Sequence, residues 1–164
     1  MEEAAKQVKE YLSSYGLGER VMEFDTSSAT VELAAKAVGV IPAQIAKTIS
    51  FVARDGYGCI LIVTSGDCKI ENHKFKETFG MKAKMLLASQ VEPLTGHPIG
   101  GVCPFLYPPC AKVYLDQSLR RFETIYPAAG TSNSAVKLTC EELETVSKCC
   151  GWVDVCKNGE EQRT

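Results

Sequence analysis

The sequence predicts a single α/β domain. Segments whose apolar residues recur every three or four positions alternate with β-branched runs of strand length, and no linker, repeat or low-complexity tract divides the 164 residues. A hydrophobic content of 45% suffices for one sizeable core. Residues 1–157 are assigned to that domain. Residues 158–164, polar and without an apolar anchor, are expected to form a disordered tail.

Taken in order, Ala4, Ala5, Val8, Tyr11, Leu12 and Tyr15 share one helical face, and the pattern stops at Gly16, a C-cap residue. Thr30 is placed to cap a second helix through Ala37, ended by Gly39, and Pro42 suits the first turn of a short helix. The period then changes to two: Lys47, Ile49, Phe51 and Ala53 fall on one side of a strand, and Thr48, Ser50, Val52 and Arg54 on the other. Asp55-Gly56-Tyr57-Gly58 reads as a turn into a continuous apolar run at 59–64, which makes a hairpin whose second strand is buried on both faces. Asn72 is expected to cap a helix through Phe75 and Phe79 to Gly80, followed by a strand at 83–87 and a short helix at 88–94. Residues 112–116, 123–128 and 135–138 read as strands. Thr139-Cys140-Glu141-Glu142 fits the S/T-x-x-E capping box of a last helix over 140–149, and 152–156 is expected to close the sheet.

Composition excludes several function classes. The net charge of −2 argues against a strongly basic nucleic-acid coat, and the five lysines against two glutamates between 69 and 84 read, on charge pattern alone, as a solvated helix face. No run of about 18 apolar residues and no basic signal-peptide start is present, so a soluble, cytoplasmic protein is expected, with no membrane partner. Eight cysteines without C-x-x-C spacing, and only two histidines, point to free thiols rather than a metal centre. G-x-S-x-G and G-x-x-x-x-G-K-[ST] are both missing, which removes a serine elbow and Walker-type phosphate binding.

Two features carry chemistry. Residues 95–105, Thr-Gly-His-Pro-Ile-Gly-Gly-Val-Cys-Pro-Phe, hold three glycines and two prolines and specify a partly buried loop. The N–H groups of Gly100, Gly101, Val102 and Cys103 lie between the prolines as donors for an oxyanion or carbonyl oxygen. Cys103 and His97, six residues apart, make a possible nucleophile and base pair. The second feature is Lys47, which shares strand parity with Ile49 and Phe51 and therefore faces a buried side, either as a strand-mouth lysine or within a cavity. Ser132 and Asn133, after Ala129-Gly130, add polar groups.

Together Ala46-Lys47-Thr48, the 95–105 block, Val113-Tyr114-Leu115-Asp116, Ala129-Gly130 and Glu142-Leu143 resemble the YbaK/prolyl-tRNA synthetase-associated editing domain family, over roughly residues 20–156. The resemblance implies a single α/β domain with a mixed, barrel-like sheet flanked by helices. It implies a free-standing hydrolase that removes a wrong amino acid, such as alanine or cysteine, from the 3′ end of tRNA-Pro. Lys47 then matches the active-site lysine, and Gly100, Gly101 and Val102 the loop that places carbonyl or water. Thr48, His97 and Cys103 become pocket-wall candidates, with Thr95, Gly96, Pro104, Asp116, Gly130, Ser132 and Asn133 as further substrate-binding positions. Lys69, Lys74 and Lys76 become candidate tRNA contacts, and prolyl-tRNA synthetase a candidate partner. Neither cofactor nor metal is implied. The chain has Thr48 where some alanine-specific members have asparagine, and Cys103 where cysteine-specific bacterial members have serine, which leaves the amino acid open. Two other readings stand beside this one: a binding module without turnover, and a thiol-dependent hydrolase using Cys103.

Overall fold

Five α-helices and eight strands make up residues 3–157, the part that this computed structural model describes. The polar tail expected at 158–164 lies outside the described residues. The elements run α1 (Glu3–Ser13), β1 (Val21–Glu23), α2 (Val31–Val38), β2 (Ile45–Val52), β3 (Cys59–Ser65), α3 (Asn72–Phe79), α4 (Ala88–Thr95), β4 (Ala111–Asp116), β5 (Thr124–Pro127), β6 (Ser134–Val136), β7 (Leu138–Thr139), α5 (Cys140–Ser147) and β8 (Gly151–Val153). Short 3-10 turns occupy Gly18–Arg20, Pro42–Gln44 and Gln117–Arg121.

The main sheet has six strands in the order β7-β5-β2-β3-β4-β8. It is mixed: β2 and β3 are the antiparallel hairpin expected from the 55–58 turn, while β3–β4, β4–β8 and β2–β5 pair in parallel. Asp55 shapes that turn by accepting from the N–H groups of Tyr57 and Gly58. All seven residues of β3 are buried, because helices or loops cover both faces of the central strand. On one face Leu61 and Val63 join Val113, Leu115, Phe105 and the apolar side of α1 (Val8, Leu12). On the other, Ile60 and Ile62 meet Phe51 and Phe75, the latter wedged 4.9 Å from Phe51 and 4.7 Å from Phe79. Burying a ring such as Phe75 contributes up to about 3 kcal/mol.

Several elements formed for the reasons their residues suggest. Thr30 Oγ1 accepts from Leu33 N, and Gly39 closes α2 in the left-handed region at φ 88°. Thr139 and Glu142 form the reciprocal capping box of α5.

Other expectations need correction. Glu71, not Asn72, caps α3: its carboxylate accepts from His73 N and Lys74 N, which satisfies two first-turn donors at once. Residues 83–87 form no strand. They touch β2 through one bridge, Phe51 to Met85, with Val52 N donating to Lys84 O and Leu86 N to Ser50 O. The run at 135–138 is split, because β6 leaves the main sheet to pair with β1 while β7 pairs with β5. The last helix stops at Ser147 rather than Cys149, with Lys148 in the left-handed conformation. At the far edge only Gly151–Val153 of the closing segment pairs with β4.

This partial pairing leaves an opening. β5 runs beside β2 only at Ile45 and Ala46, and the 84–86 stretch meets it only from Ser50 onward. Between them, at Lys47, Thr48 and Ile49, the edge of β2 has no strand alongside.

Candidate active site

A cavity of about 380 Å³ fills that opening. Its floor is β2 from Ile45 to Ser50; Met85, Leu86 and Val91 form one side, and Ile99, Gly100 and Val102 of the glycine loop another. Ser28 to Val31 and Ala34, at the start of α2, meet Tyr126, Ala128, Ser134 and Ala135 across it. The wall is mainly apolar. Among the described residues that line it, Lys47 is the one ionisable side chain apart from the Tyr126 phenol, and none is an aspartate, glutamate, histidine or cysteine.

Lys47 sits opposite Thr64 on the strand face shared with Ile49 and Phe51, as its parity predicts. Its Nζ donates to Cys68 O at 2.5 Å and to Gly66 O at 3.3 Å. The loop supplying those carbonyls is itself built for close approach. A Cβ at Gly66 would lie 2.2 Å from Pro42 O, so the backbones meet there only because the residue is glycine. Arg121 pairs with Asp67 at 2.6 Å in the same loop. Burial alone would raise the Asp67 carboxyl, but the Arg121 hydrogen bond and charge hold it below its ordinary value. The lysine is thus held by backbone dipoles whose position an ion pair fixes.

The glycine loop is divided between wall and scaffold. Gly100 (φ 88°) and Val102 line the cavity. Gly101 does not: its N–H donates to Pro98 O at 2.9 Å, so it is not the free donor expected. The missing side chain of Gly101 serves loop packing, since a Cβ there would sit 2.9 Å from Gly130 O and 2.9 Å from Thr131 Cα. Thr95 and His97 are buried behind the loop. Thr95 Oγ1 donates to Val91 O and accepts from His97 N, and Gly96 (φ 81°) ends α4. Pro104 is buried and, like these, off the wall.

His97 and Cys103 do come together, with 3.4 Å between Nε2 and Sγ, but not as a nucleophile and base. His97 Nε2 lies 2.5 Å from Phe105 O, and burial pushes the imidazole below its ordinary value. Cys103 is fully buried and its thiol is raised to about 12 by desolvation, so both groups are neutral at pH 7 and neither borders the cavity. This geometry gives the thiol-dependent reading no support: the Cys103 thiol is buried, raised by desolvation and off the cavity wall.

Asp116 is likewise scaffold. Its Oδ1 accepts from Val155 N at 2.8 Å and its Oδ2 from Ser118 N at 2.9 Å, which ties the end of β4 to the 3-10 turn and to the chain after β8. Gly130 (φ 96°) packs against α1, where a Cβ would lie 3.0 Å from Val8 and 3.2 Å from Ala4 O. Ser132 O accepts from Ser28 N, while Asn133 exchanges bonds with Phe24 through both backbone and side chain. These residues brace the 24–28 segment, which reaches the cavity at Ser28. They act one layer behind the wall. Of the basic stretch, Lys74 is engaged by Asp154 and Cys156 O, while Lys69 and Lys76 are exposed; none lines the cavity.

Sequence reasoning did not pick out Ser28, Ala29, Met85, Leu86, Tyr126 and Ala128 as wall residues. The small run Ser27-Ser28-Ala29 ahead of the Thr30 cap was the available signal, because small residues let backbone close over a cavity. Nothing local marks Tyr126 or Ala128, which arrive through the parallel pairing of β5 with β2.

Residues 25–146 match the aminoacyl-tRNA editing domain, and the chain belongs to that family. It is 49% identical over 155 residues to the uncharacterized protein YwhH of Bacillus subtilis (strain 168), covering 94% of this chain and 98% of that one. Among solved structures it resembles one described as a "putative trans-editing enzyme for prolyl tRNA synthetase", at TM-score 0.85 and 28% identity over 96% of this chain and 99% of that one. The hypothetical protein APE2540 is similar at TM-score 0.81 and 28% identity, over 92% and 99% of the two chains.

Proposed function

We propose that this chain is a trans-acting aminoacyl-tRNA deacylase, which hydrolyses the ester between a small wrong amino acid and the 3′ end of tRNA-Pro. The observation that carries this reading is the composition of the cavity wall: one cation, Lys47, and no protein acid or base of carboxylate, imidazole or thiol type. Ester hydrolysis needs water to add to the carbonyl carbon, negative charge to collect on the carbonyl oxygen, and the ribose oxygen to leave with a proton. An ammonium at a largely apolar wall favours the developing negative charge, or the terminal phosphate that positions the ester. The ribose hydroxyl beside the ester is available to handle the proton, so the protein's share is positioning plus electrostatics. The cavity of about 380 Å³ suits a side chain the size of alanine, cysteine or serine together with part of the terminal nucleoside. Prolyl-tRNA synthetase, which supplies the mischarged tRNA, is the corresponding partner, and the exposed Lys69 and Lys76 are proposed to meet the tRNA backbone.

The test is loss of the ester from tRNA-Pro charged with alanine, cysteine, serine or proline. Lys47→Ala is expected to lower kcat/KM by about 10²–10³-fold, the cost of one transition-state charge partner. If no charged tRNA is hydrolysed above buffer while tRNA still binds, the protein is a binding module and the proposal is wrong.

A further inference from the structure

Cys68 and Cys156 are both buried, at 0% and 3% exposure, and both are free thiols. Unlike Cys59 and Cys103, neither belongs to an apolar cluster among the described residues. Their surroundings are polar instead. The Cys68 thiol donates to Asp67 Oδ1 at 3.4 Å, takes the Arg121 guanidinium at 3.6 Å, and hydrogen-bonds the Cys156 thiol. Two extended stretches bring the thiols together. Ile70 bridges Cys156, with Glu71 N donating to Val155 O and Lys157 N to Lys69 O on either side.

The hydrogen bond with Cys156 holds the Cys68 thiol below its ordinary value against burial, and the Arg121 charge adds to this. A sulfur with thiolate character, beside a cation and touching a second thiol, is disposed to oxidise to a disulfide. Cys68 also reaches the cavity through its backbone, because its carbonyl accepts from Lys47 Nζ at 2.5 Å.

We propose that Cys68 and Cys156 form a reversible oxidation site, whose disulfide displaces the Cys68 carbonyl that holds Lys47. The oxidant is hydrogen peroxide. The Cys68 thiolate attacks one peroxide oxygen, the O–O bond breaks, and hydroxide leaves and takes up the Cys68 proton, which gives a sulfenic acid and water. The Cys156 sulfur then attacks the Cys68 sulfur, the S–O bond breaks, and the hydroxyl leaves as water with the Cys156 proton. The two thiols lose two electrons and two protons, and the peroxide becomes two waters. Cys156 lies between the exposed Asp154 and Lys157, so local opening of that stretch admits the oxidant. Across an antiparallel bridge, diagonal neighbours such as Cys68 and Cys156 have Cα atoms roughly 7–8 Å apart, whereas a disulfide draws them to roughly 4.4–6.8 Å. Closing the bond therefore moves backbone, and the carbonyl of Cys68 moves with it.

The test treats the reduced full chain with hydrogen peroxide, traps remaining thiols with iodoacetamide and maps the linked peptides by mass spectrometry. Acetic anhydride labelling of Lys47 is followed in both forms, alongside deacylation. A Cys68 to Cys156 link is expected. With it, Lys47 labelling should change severalfold and kcat/KM should fall by about tenfold or more, both reversed by dithiothreitol. Cys156→Ser should keep the reduced-state turnover and lose the link and the change in labelling. No such link under conditions that oxidise the exposed Cys110 overturns the proposal. So does a link that leaves Lys47 labelling unchanged, or a labelling change that persists in Cys156→Ser. If the variant does not fold, the wild-type map and its reversal by dithiothreitol decide. Only the turnover readout rests on the deacylase reading: a protein that links and shifts Lys47 but hydrolyses no ester supports this site and refutes that reading.

Discussion

Replacing Asp116 by asparagine separates scaffold from site. The carboxylate accepts two backbone N–H groups, from Val155 at 2.8 Å and Ser118 at 2.9 Å, and the residue is 1% exposed. Asparagine has the same shape but only one carbonyl oxygen, so its NH₂ group must face one of those donors. One buried N–H is left unpaired, at about 1–3 kcal/mol, and the surviving bond loses its charge assistance, roughly another 1 kcal/mol. The total, about 2–4 kcal/mol, corresponds to a melting point lower by about 4–16 °C for a chain of this size. Urea unfolding followed by tryptophan fluorescence is a suitable assay, because Trp152 lies on β8 beside the affected segment. Deacylation is then measured well below the melting point. Stability should fall while kcat/KM per folded molecule changes less than about threefold. A variant that melts like wild type yet loses activity by a factor of a hundred would refute the structural assignment and return Asp116 to the substrate.

Other outcomes follow from the same geometry. Gly101→Ala should destabilise the protein by about 1–3 kcal/mol, because the new Cβ meets backbone at Gly130 and Thr131; it should also disturb the wall at Gly100 and Val102, read as lower kcat/KM. Burial lowers the folded-state value of His97 below 6.5, so the unfolded chain takes up the proton first. Its stabilising contribution is complete above pH 6.5 and is lost as pH falls from there through the folded value. The slope is at most about 1.4 kcal/mol per pH unit, and it should be missing from a His97→Gln variant in melts between pH 5 and 7. Native Cys103 should resist iodoacetamide at pH 8 while the exposed Cys110 and Cys150 react, as read by mass spectrometry. Cys103→Ala should retain kcat on a weakened fold. Rapid native alkylation of Cys103 coupled to loss of turnover would contradict this assignment.

Much of the architecture was legible because it is local. The Thr30 cap, the Gly39 and Gly80 terminators, the 55–58 turn and the 139–142 capping box each depend on a few adjacent residues whose chemistry permits little else. The strand expected at 83–87 failed for the opposite reason. Its β-compatible sequence finds only Ser50 and Val52 to pair with, and pairing is a property of the neighbour. The site divides the same way. Lys47 was visible because period-two parity sets the face of a side chain. Asp116 and the His97–Cys103 pair resembled site residues only because sequence does not show which polar groups are already satisfied.

By itself the sequence determined the helices and the central strands, the buried second strand of the hairpin, the lysine's face and the glycine loop's tight backbone, but not β1, the absence of a strand at 83–87 or the split between β6 and β7. Tertiary structure alone decided where the cavity lies. It forms where β5 and the 84–86 stretch fall short of each other along β2, and the 130–133 loop, packed against Gly101, braces the wall from one layer behind. Those contacts join residues as far apart in sequence as Ile45 and Tyr126, and their geometry depends on how the layers pack.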